Sequence, residues 1–239
     1  MKAVILAGGL GTRMRPLTYL APKCMLPVGG KPLLERTIGH LREHGITEFV
    51  ICVAYLRRQI TEHFGDGSRF GVGIEFAESE LPLGTAGQLK TAERFIDGTF
   101  VAMNGDIVTS INVKNLLDAH RRGQCFATLA LKTFEVKVPY GCINVDTGSQ
   151  ITSFEEKPTF RFLANAGVYI LERPIFEHIP GDRPSSLETE VFPSLIKGGK
   201  RLIGYYEEAY WADVGSLVDF ERVDNELIEA HRAGLGPRG

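Results

Sequence analysis

Along the first half of the chain, short apolar runs alternate with segments whose apolar residues recur every three or four positions. Ala3–Leu6 and Phe49–Val53 are continuous apolar runs, so Lys2–Leu6 and Glu48–Val53 read as buried strands. Between them, Leu34, Ile38 and Leu41 share one face of a predicted helix over Leu33–Glu43, and Gly45 is placed to close it. The alternation continues with a helix over Arg57–Phe64 and a turn at Gly65-Asp66-Gly67-Ser68. A strand over Val72–Phe76, a helix over Gly84–Phe95, a strand over Thr99–Met103 and a helix over Val113–Arg122 follow. Strands separated by helices predict a largely parallel sheet covered on both faces.

From Cys125 the pattern changes. Cys125–Leu131, Cys142–Val145, Ile151–Glu155 and Val168–Leu171 read as strands with short connections, which predicts an antiparallel or mixed extension. Helices are expected over Glu188–Lys197 and from Ser216 to about His231, with a frayed Ala233–Gly239 tail. There is no internal repeat and no low-complexity block.

Composition adds exclusions. Hydrophobic residues make up 44% and charged residues 23% of the 239 residues, as in an ordinary globular protein. A formal net charge of -2 provides no global field for nucleic acid or anionic lipid. Four scattered cysteines without a CxxC pair argue against structural zinc and a disulfide framework. No apolar stretch reaches membrane-span length, and Val4-Ile5-Leu6-Ala7 is too short for a signal peptide. A cytoplasmic protein is the expectation.

The candidate chemistry begins where the first strand stops. Ala7-Gly8-Gly9-Leu10-Gly11-Thr12-Arg13 is followed by Pro22-Lys23. Glycines let backbone N–H groups approach an anion, and Arg13 and Lys23 add two cations. A Walker A loop is excluded because Gly11-Thr12-Arg13 stands where Gly-Lys-Ser/Thr is needed. A G-x-G-x-x-G fingerprint is excluded because Met14 occupies the third glycine position. Asp106 ends an apolar strand, where a carboxylate suits Mg²⁺ or caps the next helix. Asp213, after the only tryptophan, leaves the same two readings open. Lys157, inside Phe154-Glu155-Glu156-Lys157-Pro158, reads by itself as part of a solvated strand end.

The segment GGLGTRMRPLT with its following Pro-Lys closely resembles the signature of the sugar-phosphate nucleotidylyltransferases. Asn104-Gly105-Asp106, Glu156-Lys157-Pro158, Asn165-Ala166-Gly167 and Trp211-Ala212-Asp213-Val214-Gly215 resemble that family's later motifs, in order, over nearly the whole chain. The Leu83-Gly84-Thr85-Ala86-Gly87 stretch, Val136–Gly141 and the segment from Asn165 to Leu171 are most similar to mannose-1-phosphate guanylyltransferase-like members. The resemblance implies a Rossmann-like three-layer α/β/α sandwich, with a mixed, mostly parallel sheet and a small antiparallel extension for the sugar. It implies one catalytic domain over 1–239: a nucleotide half to about 123, a sugar-phosphate half over 124–215 and a C-terminal helix over 216–232. The left-handed β-helix that some relatives append is not expected.

The reaction implied is attack of a sugar 1-phosphate on the α-phosphorus of a nucleoside triphosphate, releasing pyrophosphate, with Mg²⁺ as cofactor. By resemblance, Arg13, Lys23 and Lys157 act in catalysis, and Asp106 and Asp213 hold the metal. Leu6, Ala7, Gly8, Gly9, Gly11, Thr12, Glu80, Gly84 and Thr85 bind the nucleotide. Tyr140, Gly141, Glu156, Lys157 and Asn165 bind the sugar phosphate, and Glu188 is a further candidate. Acceptors such as Glu80 suit the N1–H and N2–H₂ donors of guanine, so GTP is the expected donor; the acceptor is a hexose 1-phosphate or analogue, mannose 1-phosphate by default, with glucosamine, heptose and cyclitol phosphates left open. Ser79 and Leu81 interrupt the acidic run that relatives show there, which keeps a thymidylyl- or uridylyltransferase on glucose 1-phosphate as the alternative. A non-catalytic nucleotide-sugar-binding regulator would normally have lost one of Arg13, Lys23, Asp106, Lys157 or Asp213, and all five are present. No nucleic-acid or membrane partner is expected; homo-oligomerisation is left open.

Overall fold

The computed structural model describes residues 1–181 and 183–233. In chain order the strands begin with β1 (Lys2–Leu6), β2 (Pro27–Val28), β3 (Lys31–Pro32), β4 (Glu48–Val53) and β5 (Gly73–Glu78). They continue with β6 (Phe100–Asn104), β7 (Ile107–Thr109), β8 (Ala127–Lys137), β9 (Cys142–Val145), β10 (Ile151–Glu155) and β11 (Thr159–Leu171). The last two are β12 (Leu202–Tyr206) and β13 (Trp211–Asp213). The α-helices are α1 (Leu33–Glu43), α2 (Arg57–Phe64), α3 (Gly84–Thr91), α4 (Val113–Gly123), α5 (Phe192–Lys197) and α6 (Leu217–Arg232). Of the tail expected to fray, residues 234–239 lie outside the described residues.

Seven strands form one sheet in the order β12-β8-β11-β6-β1-β4-β5. β1 is parallel to both β4 and β6, β4 to β5, and β12 to β8, whereas β11 runs antiparallel to β6 and β8. The sheet is therefore mixed and mostly parallel, as the resemblance implied. Because side chains alternate across a strand, β1 is shared between two cores. Ala3 and Ile5 pack with Leu34, Ile38 and Leu41 of α1, Ile60 and Phe64 of α2, and Leu116 of α4. Val4 and Leu6 pack on the other face with Ala86 and Leu89 of α3 and Phe192 and Leu195 of α5. Burying both faces explains why the parallel strands read as unbroken apolar runs.

A third cluster positions the glycine-rich loop. Met14 is fully buried with Leu26, Val28, Leu33, Val108, Ala212, Val214 and Val223 and Leu227 of α6. Burying such a side chain contributes roughly 1.5–3 kcal/mol, enough to pin the loop that carries it. Ser216 caps α6 by accepting from the Asp219 N–H at 3.2 Å, and Asn112 caps α4 by accepting from the Asn115 N–H at 3.0 Å. At the end of α1 the Gly45 and Ile46 N–H groups reach back to the carbonyls of Arg42 and Leu41, as placing Gly45 at its end predicts.

The structure corrects three boundaries. The helix expected over Gly84–Phe95 stops at Thr91, and Glu93–Phe95 forms a separate 3₁₀ turn that brings Ile96 into the core. The helix expected over Glu188–Lys197 is a π-helical turn over Leu187–Val191 followed by α5. The larger correction concerns the extension. The apolar runs ending at Leu131 and beginning at Val168 are only the buried ends of two long strands, 11 and 13 residues, that pair far past the sheet. Their outer halves are exposed, so burial no longer marks them as strand. Phe134 faces Phe162 and Val136 faces Phe160 in the ladder, and β9 and β10 form a separate antiparallel pair beyond them.

Candidate active site

The chain passes from β1 to β4 on one side and returns to β6 on the other, so the strand order reverses between β1 and β6. Ligands of open α/β sheets bind outside the strand ends at such a switch point. Leu6 and Asn104, the last residues of β1 and β6, lie opposite each other there. A cavity of about 290 Å³ opens beyond them, lined by both strand ends, the glycine-rich loop, Lys23, Thr85 and Gln88 of α3, and Gly215.

The loop is shaped by its own residues. Gly11 has φ +60°, which few side chains adopt, and a Cβ there would meet Thr18 Cγ2 at 2.8 Å. The Thr18 hydroxyl donates to the Gly11 carbonyl at 2.9 Å and closes the turn. Thr12–Met14 is one 3₁₀ turn. With Met14 buried, Arg13 is exposed, and it makes no ion pair among the described residues.

Lys23 follows Pro22 in another 3₁₀ turn, and its side chain is only 11% exposed. Its ammonium lies 2.6 Å from Asp106 Oδ2 and 3.8 Å from Asp213 Oδ1. The two carboxylates lie far apart in sequence but meet because β7 and β13 pair, setting Asp213 opposite Ile107, and because the Val214 N–H donates to the Asp106 carbonyl at 3.0 Å. Burial, and then the nearby Asp106 charge, push the Asp213 carboxyl above its usual range, while Lys23 and Arg13 oppose the shift. Asp213 Oδ1 is buried without a hydrogen-bond partner among the described residues. A Cβ on Gly215 would stand 2.7 Å from Asp213 Oδ2 and 3.2 Å from Arg13 Nη2, so the loop cation approaches the carboxylate across this glycine.

Leu6, Ala7, Gly9, Gly11, Thr12, Arg13, Lys23, Thr85 and Asp106 therefore line one cavity, with Asp213 at its edge. Three other sequence-predicted residues stand differently. Gly8 is buried beneath the cavity, and its N–H donates to Gln88 Oε1 at 2.8 Å, so that amide is committed inside the protein. Gly84 has φ +71° and lies flush against the Ser185 carbonyl, which takes the N–H groups of Ala86 and Gly87. The Ala86 and Gly87 amides at the start of α3 are thus taken by the chain itself. Glu80 is 85% exposed at the side chain and paired with Arg57 at 2.9 Å.

Thr85 leads toward the second half. Its hydroxyl donates to Glu188 Oε2 at 2.6 Å, and Ser186 donates to the same oxygen at 2.8 Å. The Tyr169 phenol donates to Glu188 Oε1 at 3.2 Å and accepts from Asn165 Nδ2 at 2.7 Å. Burial and Glu188 raise the Tyr169 phenol, so it keeps the proton this bond needs. Asn165 Oδ1 also accepts from the Gly167 N–H at 3.0 Å, where the β11 ladder shifts register. Tyr140, Gly141, Glu156 and Lys157 gather farther out. A Cβ on Gly141 would lie 2.9 Å from Glu156 Oε2. Lys157 sits in the turn between β10 and β11 at φ +49°, exposed and without an ion pair among the described residues. No hydrogen bond or ion pair links this outer group to the cavity among the described residues.

The nucleotidyl transferase family model matches residues 2–230. The chain is a member of the nucleotidyl transferase family. It is 37% identical over 98% of its length to a mannose-1-phosphate guanylyltransferase of Mycobacterium tuberculosis, of which the alignment covers 66%. It is 34% identical over 92% of its length to a UTP–glucose-1-phosphate uridylyltransferase of Synechocystis, covering 61% of that protein. The chain thus spans about three fifths to two thirds of these curated relatives. The crystal structure of HddC from Yersinia pseudotuberculosis complexed with GMP-PN superposes with a TM-score of 0.74 at 27% identity, over 94% of this chain and 98% of that one. Among the described residues of this family member, no helix is long and apolar enough to cross a membrane.

Sequence reasoning missed Gln88 and Arg57. Gln88 is a buried polar residue inside an otherwise apolar helix face, which is a readable signal. Arg57 carried none, because its pairing with Glu78 and Glu80 depends on β5 lying beside β4.

Proposed function

We propose that this chain transfers a nucleotidyl group from a nucleoside triphosphate, GTP by preference, to a hexose 1-phosphate, mannose 1-phosphate by preference. The observation that carries the proposal is the convergence of Lys23, Asp106 and Asp213 beside a glycine-rich loop bearing Arg13. Joining two polyanions demands neutralised repulsion and a stabilised leaving pyrophosphate more than covalent chemistry. Arg13, exposed and in no ion pair among the described residues, meets the outer phosphates and bears on the charge that develops as pyrophosphate leaves. The Gly9–Thr12 segment packs closely along the nucleotide. Lys23 neutralises the carboxylates and lies within reach of the same phosphates.

The donor set fits a hard divalent cation such as Mg²⁺. Mg²⁺ is typically held by one or two carboxylates together with substrate phosphates, and the unpartnered Asp213 Oδ1 faces Asp106 across Lys23. When bound, such an ion supplies charge neutralisation at the reacting phosphates. Among the described residues no group of three or more His, Cys, Asp or Glu could hold a metal ion, and in this reading Asp106 and Asp213 would be its protein ligands beside the substrate phosphates.

The second half holds the acceptor. Lys157 is assigned to the acceptor phosphate, and Glu156, Tyr140, Gly141 and Asn165 to its sugar. Lys157→Ala is expected to raise KM for the sugar phosphate far more than KM for the triphosphate; the reverse in steady-state kinetics would move Lys157 to the nucleotide site.

Base choice is assigned to the segment around Glu80, whose exposed carboxylate pairs with Arg57 at 2.9 Å. A site that pairs guanine's two adjacent donors leaves acceptors unpaired when another base enters. Pyrophosphate release with GTP, ATP, UTP, CTP and dTTP, each with mannose 1-phosphate and glucose 1-phosphate, tests the proposal, and GTP with mannose 1-phosphate is expected to be fastest. A second reading, uridylyl transfer to glucose 1-phosphate, is favoured by the similarity to the Synechocystis enzyme and would be established by a clear win for UTP. No release with any pair would refute both.

A further inference from the structure

On another side of the sheet, a thiol, an imidazole and a carboxylate stand in series. Cys125 lies between α4 and β8, His120 on α4, and Glu172 directly after β11. Cys125 Sγ is 3.3 Å from His120 Nδ1, and His120 Nε2 is 3.0 Å from Glu172 Oε1. The Thr99 hydroxyl donates to that same carboxylate oxygen at 2.8 Å. Thr128 Oγ1 lies 3.1 Å from the sulfur and 2.9 Å from Nδ1. The three groups line a cavity of about 310 Å³ whose wall includes Arg121 and Gln124. The proposed nucleotidyl transfer uses none of them.

The order of the groups sets the protons. An ionised carboxylate only accepts, so Glu172 takes the Nε2–H of His120 and leaves Nδ1 as an acceptor toward the sulfur. If the thiol proton moves to Nδ1, the thiolate has two donors beside it, the imidazolium N–H and the Thr128 hydroxyl. Glu172 then faces the new imidazolium charge. Among the described residues, the titratable groups in contact with the imidazole are Cys125 and Glu172; Arg121, paired with Asp118 at 3.9 Å, and Met1 with its amino group also line the cavity. Cys24 and Cys52 are buried as Cys125 is, but neither lines this cavity or is hydrogen-bonded to an imidazole among the described residues, and burial pushes both thiols up to about 12.

We propose that Cys125 is an activated thiol that forms a mixed disulfide with a low-molecular-weight disulfide entering this cavity, with His120 as its base and Glu172 as the positioning residue for His120. The Cys125 thiol proton passes to His120 Nδ1, and the thiolate attacks one sulfur of the incoming disulfide. A new S–S bond forms as the old one breaks, and its electron pair leaves on the departing sulfur, which takes the proton back from the imidazolium. Cys125 is oxidised to the mixed-disulfide level and the departing half is reduced to a thiol.

The test is incubation of the full chain with glutathione disulfide from mildly acidic to alkaline pH, with the modified fraction of each cysteine peptide followed by mass spectrometry. Cys125 is expected to react at least about tenfold faster than Cys24 or Cys52, and at mildly acidic pH where an ordinary thiol with a pKa of about 8.5 is slow. Cys142, partly exposed and without an imidazole partner among the described residues, is followed in the same sample as the comparison thiol. Glu172→Gln and His120→Asn are expected to slow Cys125 by about tenfold or more and move the rise of its rate toward the ordinary thiol range. Where either variant fails to melt cooperatively, the wild-type pH profile alone decides. A Cys125 as inert as Cys24, a wild-type profile matching Cys142, or profiles unchanged in both folded variants would overturn the proposal.

Discussion

With Asp106 or Asp213 replaced by Asn, turnover is expected to fall by about 10²–10³, and the double variant is expected to be little worse than either single one. The reason is shared geometry. Both carboxylates face Lys23, at 2.6 and 3.8 Å, and both are assigned to one divalent cation. Removing either ligand disables the unit, so the second loss has little left to remove. Independent, multiplicative losses in steady-state kinetics would show that the two carboxylates act separately. Stability should move the other way for Asp213→Asn. Burial, then Asp106, raise the Asp213 carboxyl, so the fold favours its protonated form. That contribution is fully present below the ordinary carboxylate range and is lost as pH rises through the raised folded value. At neutral pH in chelator, Asp213→Asn is therefore expected to melt above wild type, and the gap should narrow as pH falls through that window. A variant that melts lower at neutral pH would contradict the electrostatic account while leaving the kinetic one standing.

Arg13→Ala is expected to lower kcat by about 10²–10³ while leaving the melting temperature close to that of wild type. The two halves of this expectation rest on different observations. Arg13 is exposed and makes no ion pair among the described residues, so its removal leaves the packing alone. Met14 next to it is fully buried and keeps the loop in place. What is lost is a positioned cation beside the pyrophosphate leaving group. Retention of activity within about threefold of wild type would remove Arg13 from the catalytic assignment. A large drop in melting temperature would instead show that the guanidinium holds the loop.

The parallel half of the sheet was legible because burial on both faces writes each strand as an apolar run. Ala3–Leu6 and Phe49–Val53 could hardly be anything else. The glycine-rich loop was legible because its backbone needs are local: Gly11 must adopt positive φ wherever the loop sits. The outer halves of β8 and β11 were not legible. Phe134, Val136, Phe160 and Phe162 are 42–51% exposed, so they carry no core pattern. What holds those residues in strand is the ladder between two segments more than twenty residues apart, a pairing that local sequence does not encode.

The same division runs through the site. The sequence by itself determined which chemistry was on offer: two cations and close-approach glycines on one loop, and carboxylates at two strand ends. It did not determine who meets whom. Asp106 and Asp213 become neighbours only because β7 pairs with β13, and Lys23 reaches both only because Met14 and Leu26 are buried on either side of it. The tertiary structure also decided which groups were already spoken for. Gly8 gives its N–H to Gln88, Ser185 takes the amides at the start of α3, and Glu188 takes the Thr85 hydroxyl. The physical reason is that a buried donor must be paired, and whether its partner is the protein or a ligand depends on segments a hundred residues away.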